Sequence, residues 1–356
     1  MNTTFRWLLR IFLGLAGLAA LALVIAYYVL SRSIPDYSAS YRTEGISAEV
    51  EIVRNNANVP HIFGATDKDV YFGLGFAHAQ DRLWQMTLLR RTAQGRLSEI
   101  FGARMLRTDE LLRRFDLYNL SIRSLEAQDD ETRAALAAYA RGVNAWIAQV
   151  NLGARGRGAP EFFLFPPDIA VWQPADSIAI IKLMGLQLSA HLEAEVLRAR
   201  ASMLLPEARL RDILPDDPGQ GVTALPDHAA LFPGVERSFA ALRIDHDPLS
   251  PFPRLPFAGA SNAWAAAPGR SAAGGTLLAN DPHLGFTAPA IWYLARLELQ
   301  SGGVIGGTIP GMPVVLAGRS ADLGWALTSS YLDDQDVLIE KVNPDNPEQY
   351  LTPEGW

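Results

Sequence analysis

Between Pro215 and Pro256 the chain gathers eight of its 23 prolines, mixed with Gly and Asp and following no sustained period. A structureless loop of that length is improbable inside a compact domain, so the stretch reads as a linker or a removable segment between two kinds of chain. The part before it is mostly helical. Val70, Leu74, Ala77, Leu83, Met86 and Leu89 recur near helical spacing from Asp67 onward. Leu136, Ala140, Val143 and Ile147 repeat that habit between Glu131 and Val150. A third helix is predicted from about Ala175 to Leu204, after Trp172-Gln173-Pro174, because proline disfavours helix in the residue before it. Two short strands precede these helices: Ala48 to Arg54, by alternation, and Val59 to Phe63, beyond an Asn-rich turn. From Ser261 the chain turns strand-like, through Ser261–Ala267, Thr276–Ala279, Ile291–Gln300, Val314–Ala317 and Val337–Val342. Helices first and strands after imply an α+β arrangement.

At 356 residues the chain exceeds the roughly 250 to 300 at which a single core stops growing, which favours about two folding units. Apolar residues make up 49% and charged residues 19%, the composition of a globular protein with one extra hydrophobic segment. The net charge is -7 and no Lys/Arg block occurs, so nucleic acid is not a partner. Absence of cysteine removes thiol nucleophiles, thiolate metal sites and disulfides together.

The extra segment is Ile11 to Leu30, twenty apolar residues preceded by Arg6 and Arg10. Twenty helical residues span about 30 Å, the thickness of the hydrocarbon layer, whereas a secretory signal has an apolar region of about 7 to 15. Residues 1–32 are therefore read as an uncleaved anchor in preference to a signal segment. The basic residues ahead of it place the body outside the cytoplasm, in the periplasm or beyond, with Arg32 counting against that orientation. The last residues, Tyr350 to Trp356, stop in mid-pattern, and the sequence is expected to be a truncated one.

Ser261 begins a strand directly after the proline-rich stretch. If the bond before it is cut, its free α-amino group, with a pKa of about 7.7 to 8.0, can take the hydroxyl proton, and no separate base is required. Gly259-Ala260-Ser261-Asn262-Ala263-Trp264 resembles the start of the β chain in penicillin acylases, which are N-terminal-nucleophile (Ntn) hydrolases. Ahead of it, Val59-Pro60-His61-Ile62, the run Gly75 to Leu83 and Gly95-Arg96-Leu97-Ser98-Glu99 resemble the family's α chain in order and spacing. Behind it, Asn280-Asp281-Pro282-His283-Leu284-Gly285 and Asp333-Asp334-Gln335-Asp336 do likewise. One departure is Arg54-Asn55-Asn56, where family members usually carry Arg-Asp.

The resemblance implies a four-layer αββα sandwich built from an α chain (residues 44–215) and a β chain (from 261), with 216–260 excised as a spacer. The two chains of one precursor would form a heterodimer. Ser261 would be the nucleophile first of self-cleavage and then of amide hydrolysis on a small N-acyl substrate: a β-lactam side chain, an acyl-homoserine lactone or an acylated amino acid. His283 would orient the nucleophile, and Ser329 would donate its backbone N–H to the oxyanion. Met184 and Leu188 fall where the family lines its acyl pocket. Asp333, Gln335 and Asp336, with Glu195 or else Glu193, would hold a structural Ca²⁺, a cation suited to hard oxygen ligands. No organic cofactor is implied. The second oxyanion donor of the family lies beyond Trp356, so the chain as written is expected to be inactive.

Two rivals stay open. A membrane-tethered binding protein of the same fold predicts an intact chain. A Ser/His/Asp hydrolase without cleavage lacks a G-x-S-x-G elbow and would need His283 as its base. His61 and His78 are read as structural, since neither has metal-ligand spacing to a partner.

Overall fold

The computed structural model describes residues 3–152, 158–165, 169–188, 191–206, 209, 210, 212, 261–285, 287–328 and 336–356. The chain divides into two compact units, Met1–Met184 with Phe257–Thr328, and Gly185–Pro256 with Ser329–Trp356.

The first unit begins with helix α1 (Thr3–Ser31), which buries none of its side chains and is long and apolar enough to cross a membrane. Strands β1 (Glu51–Arg54) and β2 (Pro60–Phe63) then form a hairpin. Its turn is built by Asn55, whose side-chain oxygen accepts the N–H groups of Ala57 at 2.9 Å and Val59 at 3.0 Å. Asn58 takes the left-handed conformation (φ 59°) that Asn tolerates better than most residues.

Helix α2 (Asp67–Ala93) starts on a capping box between Thr66 and Asp69. The short α3 (Ser98–Phe101), then α4 (Leu106–Phe115) and α5 (Leu117–Glu126), lead into the long α6 (Asp130–Leu152). α2 and α6 approach each other through glycine. A Cβ on Gly75 would lie 2.1 Å from the Tyr139 carbonyl oxygen, and one on Gly142 would lie 1.9 Å from that of Phe72. α7 (Glu161–Leu164) and α8 (Pro174–Leu188) follow.

Six strands form the main sheet in the order β1-β2-β5-β6-β7-β8, where β5 is Tyr293–Leu299, β6 Gly302–Ile309, β7 Met312–Arg319 and β8 Gly324–Trp325. β2 and β5 run parallel and the other neighbours antiparallel. α2 and α6 lie against this sheet, and Ile62, Leu74, Leu83, Met86, Val143, Leu297 and Ile309 are buried in the shared core. β3 (Ser261–Ala266) and β4 (Leu277–Pro282) make a separate two-stranded ribbon. Mixed helix and strand content in this order agrees with the α+β expectation.

In the second unit, helix α9 (His191–Ser202) and the hairpin of β9 (Val342–Asn343) with β10 (Asn346–Tyr350) are described. The helix expected from Ala175 to Leu204 is described as α8 and α9, and residues 189 and 190 between them lie outside the described residues. The strand expected over Val337–Val342 is reduced to its last residue plus Asn343. Val337, Leu338 and Ile339 are exposed and have no neighbouring strand among the described residues.

Candidate functional site

Ser261 opens β3 half-buried, and the antiparallel register sets it opposite Pro282, Asn262 opposite Asp281 and Ala263 opposite Asn280. His283 therefore follows the residue that faces Ser261. Twenty-two positions of separation in the sequence are closed by one hairpin. The His283 Nε2 lies 3.0 Å from Asp281 Oδ2 and 3.5 Å from Asn262 Nδ2. The carboxylate can only accept, so the shorter contact puts the proton on Nε2 and leaves Nδ1 as the ring nitrogen for other work. Both side chains are exposed, so solvent weakens the contact between them.

In the sequence Asn280 is one residue of the Asn280-to-Gly285 motif, and its side chain makes three hydrogen bonds at this site. Nδ2 donates to the Asn262 carbonyl at 3.0 Å and to the Leu327 carbonyl at 3.0 Å. Oδ1 accepts the Leu327 N–H at 3.3 Å.

The remaining predicted residues are distributed as follows. Ser329, Asp333 and Gln335 lie outside the described residues. Glu195 on α9 accepts the Val337 N–H through Oε2 at 2.6 Å, so it meets the chain directly after Asp336, which is exposed. Among the described residues no three His, Asp or Glu side chains converge as a metal cluster. Met184 packs half-buried against the core, whereas Leu188, one helical turn on, is 46% exposed.

His78 is fully buried, and its hydrogen bonds can be oriented completely. Tyr139 Oη accepts the Gly311 N–H at 2.8 Å and so donates its own proton to His78 Nδ1, also 2.8 Å away. The Nε2–H then points at Thr308 Oγ1 at 2.9 Å, whose proton goes to the Tyr293 carbonyl at 2.6 Å. Every donor has an acceptor only if the imidazole is neutral. Burial, with the Arg82 charge nearby, lowers its pKa to about 3. His78 is a tie between α2, α6 and the β6–β7 hairpin, as its structural reading expects. His61 sits on β2 opposite Val53 and Arg296 and gathers no metal-binding partners among the described residues.

The neighbouring Asp81 collects Arg54 Nη1 at 2.8 Å, Tyr293 Oη at 2.6 Å and Tyr37 Oη at 3.0 Å. Arg54 also lies 4.0 Å over the Tyr37 ring. Burial, and then the Asp81 charge, raise the Tyr293 hydroxyl well above its ordinary range. Arg82 and Gln85 both donate to the Ala290 carbonyl, at 3.2 and 3.3 Å, so α2 holds the loop between His283 and β5. Three side chains of the Gly75-to-Leu83 run, His78, Asp81 and Arg82, thus join the first chain segment to the one that begins at Ser261.

The penicillin amidase family profile matches residues 49–356. The chain belongs to the penicillin amidase family. It is 33% identical over 330 residues to penicillin acylase 2 proenzyme of Pseudomonas sp. (strain SE83), covering 89% of this chain and 41% of that protein. It is 31% identical over 358 residues to acyl-homoserine lactone acylase QuiP of Pseudomonas syringae pv. tomato, covering 96% of this chain and 42% of that protein. Among solved structures, thermostable penicillin G acylase from Alcaligenes faecalis matches with a TM-score of 0.42 at 25% identity, over 50% of this chain and 97% of that one. The penicillin amidase chain described here spans about two fifths of the length of the curated relatives it matches.

Proposed function

We propose that the whole protein is an autoprocessed amide hydrolase whose nucleophile is Ser261. The observation that carries the reading is the β3–β4 ribbon, in which Ser261 opens a strand beside Asp281 and His283 in a member of the penicillin amidase family. In maturation the Ser261 Oγ attacks the Ala260 carbonyl and the acyl group moves from nitrogen to oxygen. That shift frees the Ser261 amine, and water then hydrolyses the ester, returning the Ser261 hydroxyl and leaving Ala260 as a carboxylate. In turnover that amine takes the hydroxyl proton as Oγ attacks the substrate amide. The proton passes to the leaving amine, and water then releases the acid from the acyl-enzyme.

The Ser329 backbone N–H would steady the oxyanion, where a donor of this kind contributes about 2.7 to 4 kcal/mol. His283, with Nε2 turned to Asp281, would orient the nucleophile or the leaving group through Nδ1. Met184 and Leu188 would face the acyl chain. Relatives named for penicillin and for acyl-homoserine lactones support an N-acyl substrate of small-molecule size. The main sheet with α2 and α6 against it would form one half of a four-layer αββα sandwich. Excision of residues 216–260 would leave a heterodimer of two chains. Glu195, Asp333, Gln335 and Asp336 would hold a structural Ca²⁺, and the Glu195 contact beside Asp336 agrees with that donor set. α1 would anchor the protein with its body in the periplasm or another extracytoplasmic space.

Intact mass and N-terminal sequencing of the whole protein, lacking α1, test the reading beside a Ser261→Ala control. A new terminus reading Ser-Asn-Ala-Trp in the parent alone is the expected result. An uncut chain in both would remove the mechanism and leave a binding protein of this fold.

A further inference from the structure

We infer that Asn280 is a positioning residue, a carboxamide clamp that sets the strand carrying Ser261 against the Leu327 backbone. The inference rests on the reading of Ser261 as nucleophile. A side-chain amide has two donor hydrogens and one acceptor oxygen, and all three functions are used here on main chain. One hydrogen holds the Asn262 carbonyl, immediately after Ser261, and the other holds the Leu327 carbonyl. The oxygen takes the Leu327 N–H. Asn280 therefore stands toward Leu327 as a peptide group of a neighbouring strand would.

The same fold contains an internal comparison. Asn144 clamps one residue in the same two-bond manner, donating to the Trp172 carbonyl at 2.9 Å and accepting its N–H at 2.7 Å. That clamp closes on a single segment packed around the buried Trp172. Asn280 adds a third bond, and the third bond goes to the nucleophile strand. β3 pairs with β4 alone among the described residues, and the Asn280 amide adds to that ladder a side-chain bond on the peptide next to Ser261. No other residue type reproduces the pattern in the same volume. Aspartate keeps the acceptor for Leu327 but sets carboxylate oxygen against two carbonyl oxygens.

Asn280→Asp and Asn280→Ala in the whole protein test the clamp, with two readouts. One is the rate of cleavage before Ser261. The other is kcat and KM on a chromogenic N-acyl nitroanilide, per nucleophile titrated with a sulfonyl fluoride whose label is located by mass spectrometry. The expected result for both variants is slower cleavage and a kcat lower by on the order of a hundredfold, the loss from misplacement by about 1 Å, with KM little changed. For Asn280→Asp the ratio of variant to parent rates, in cleavage as in turnover, rises as pH falls into the carboxyl range, because the protonated acid again donates. Asn280→Ala shows no such recovery. Activity per titrated site equal to the parent, or lost only in step with melting temperature, makes the clamp merely structural and overturns the inference. A parent that takes no label on Ser261 overturns the nucleophile reading and the inference together, whereas label on Ser261 with unaltered variants removes the inference alone.

Discussion

Acid should loosen this protein through His78. The folded imidazole is neutral, wedged between the Tyr139 and Thr308 hydroxyls, with its pKa held at about 3 by burial and by Arg82. An unfolded histidine titrates near 6.5. As pH falls below that value the unfolded chain takes up a proton that the folded chain refuses, so the contribution is complete above about pH 6.5 and lost progressively toward pH 3. At about 1.36 kcal/mol per pH unit, moving from neutrality to about pH 4.5 removes roughly 2 to 3 kcal/mol on account of this one ring. Other groups titrate over the same range, so the measurement must be differential. His78→Gln retains an amide donor for Thr308 and does not ionise. Urea unfolding of parent and variant at about pH 7, 5.5 and 4.5 should give a parent curve that falls more steeply, by about one proton taken up on unfolding. Parallel curves would refute the neutral, buried assignment.

Gly142→Ala drives a Cβ into the Phe72 carbonyl and must part α2 from α6, a change expected to cost about 1 to 3 kcal/mol or more and to show as a lowered melting temperature. Asp81→Ala strips the carboxylate from Arg54, whose side chain is only 8% exposed, and chemical unfolding should register a loss of about 3 to 5 kcal/mol. A loss below about 1 kcal/mol would mean that water replaces the carboxylate at little cost. His283→Gln should keep part of the hydrolytic rate, since the glutamine amide can donate to Asp281 as Nε2–H does. Near-total loss in that assay would make His283 the essential base.

The elements most legible from sequence were those with a sustained period and punctuated ends. Helices expected from Asp67 and from Glu131 are found at Asp67–Ala93 and Asp130–Leu152, and the strand expected at Ser261 runs to Ala266. β6, Gly302–Ile309, was not expected, because four of its eight residues are glycine, which reads as weak strand. The reason is contact with neighbours. A Cβ on Gly306 would meet the Ala317 carbonyl at 2.1 Å, and one on Gly307 would meet the Trp292 ring at 2.9 Å. At the candidate site the hairpin that joins Ser261 to His283 could be anticipated from two strand patterns and a turn. The clamp of Asn280 on Leu327 could not, because those residues lie 47 positions apart and neither type announces a hydrogen bond. The His78 relay was hidden for the same reason, its partners Tyr139 and Thr308 belonging to distant segments.

The junction at Tyr37 limits where this protein can be trimmed. α1 ends at Ser31, and the Tyr37 ring is already seated beneath Arg54 with its hydroxyl on Asp81. Asp36 accepts from Ser38 and from the Tyr41 hydroxyl, so the ordered turn begins one residue earlier still. A new N-terminus between Arg32 and Pro35 would shed the apolar helix and keep the whole cluster. A terminus past Tyr37 would open the Arg54–Asp81 pair to water. Exopeptidase digestion of a form lacking α1 should accordingly stall at about Asp36, marking the true edge of the folded body.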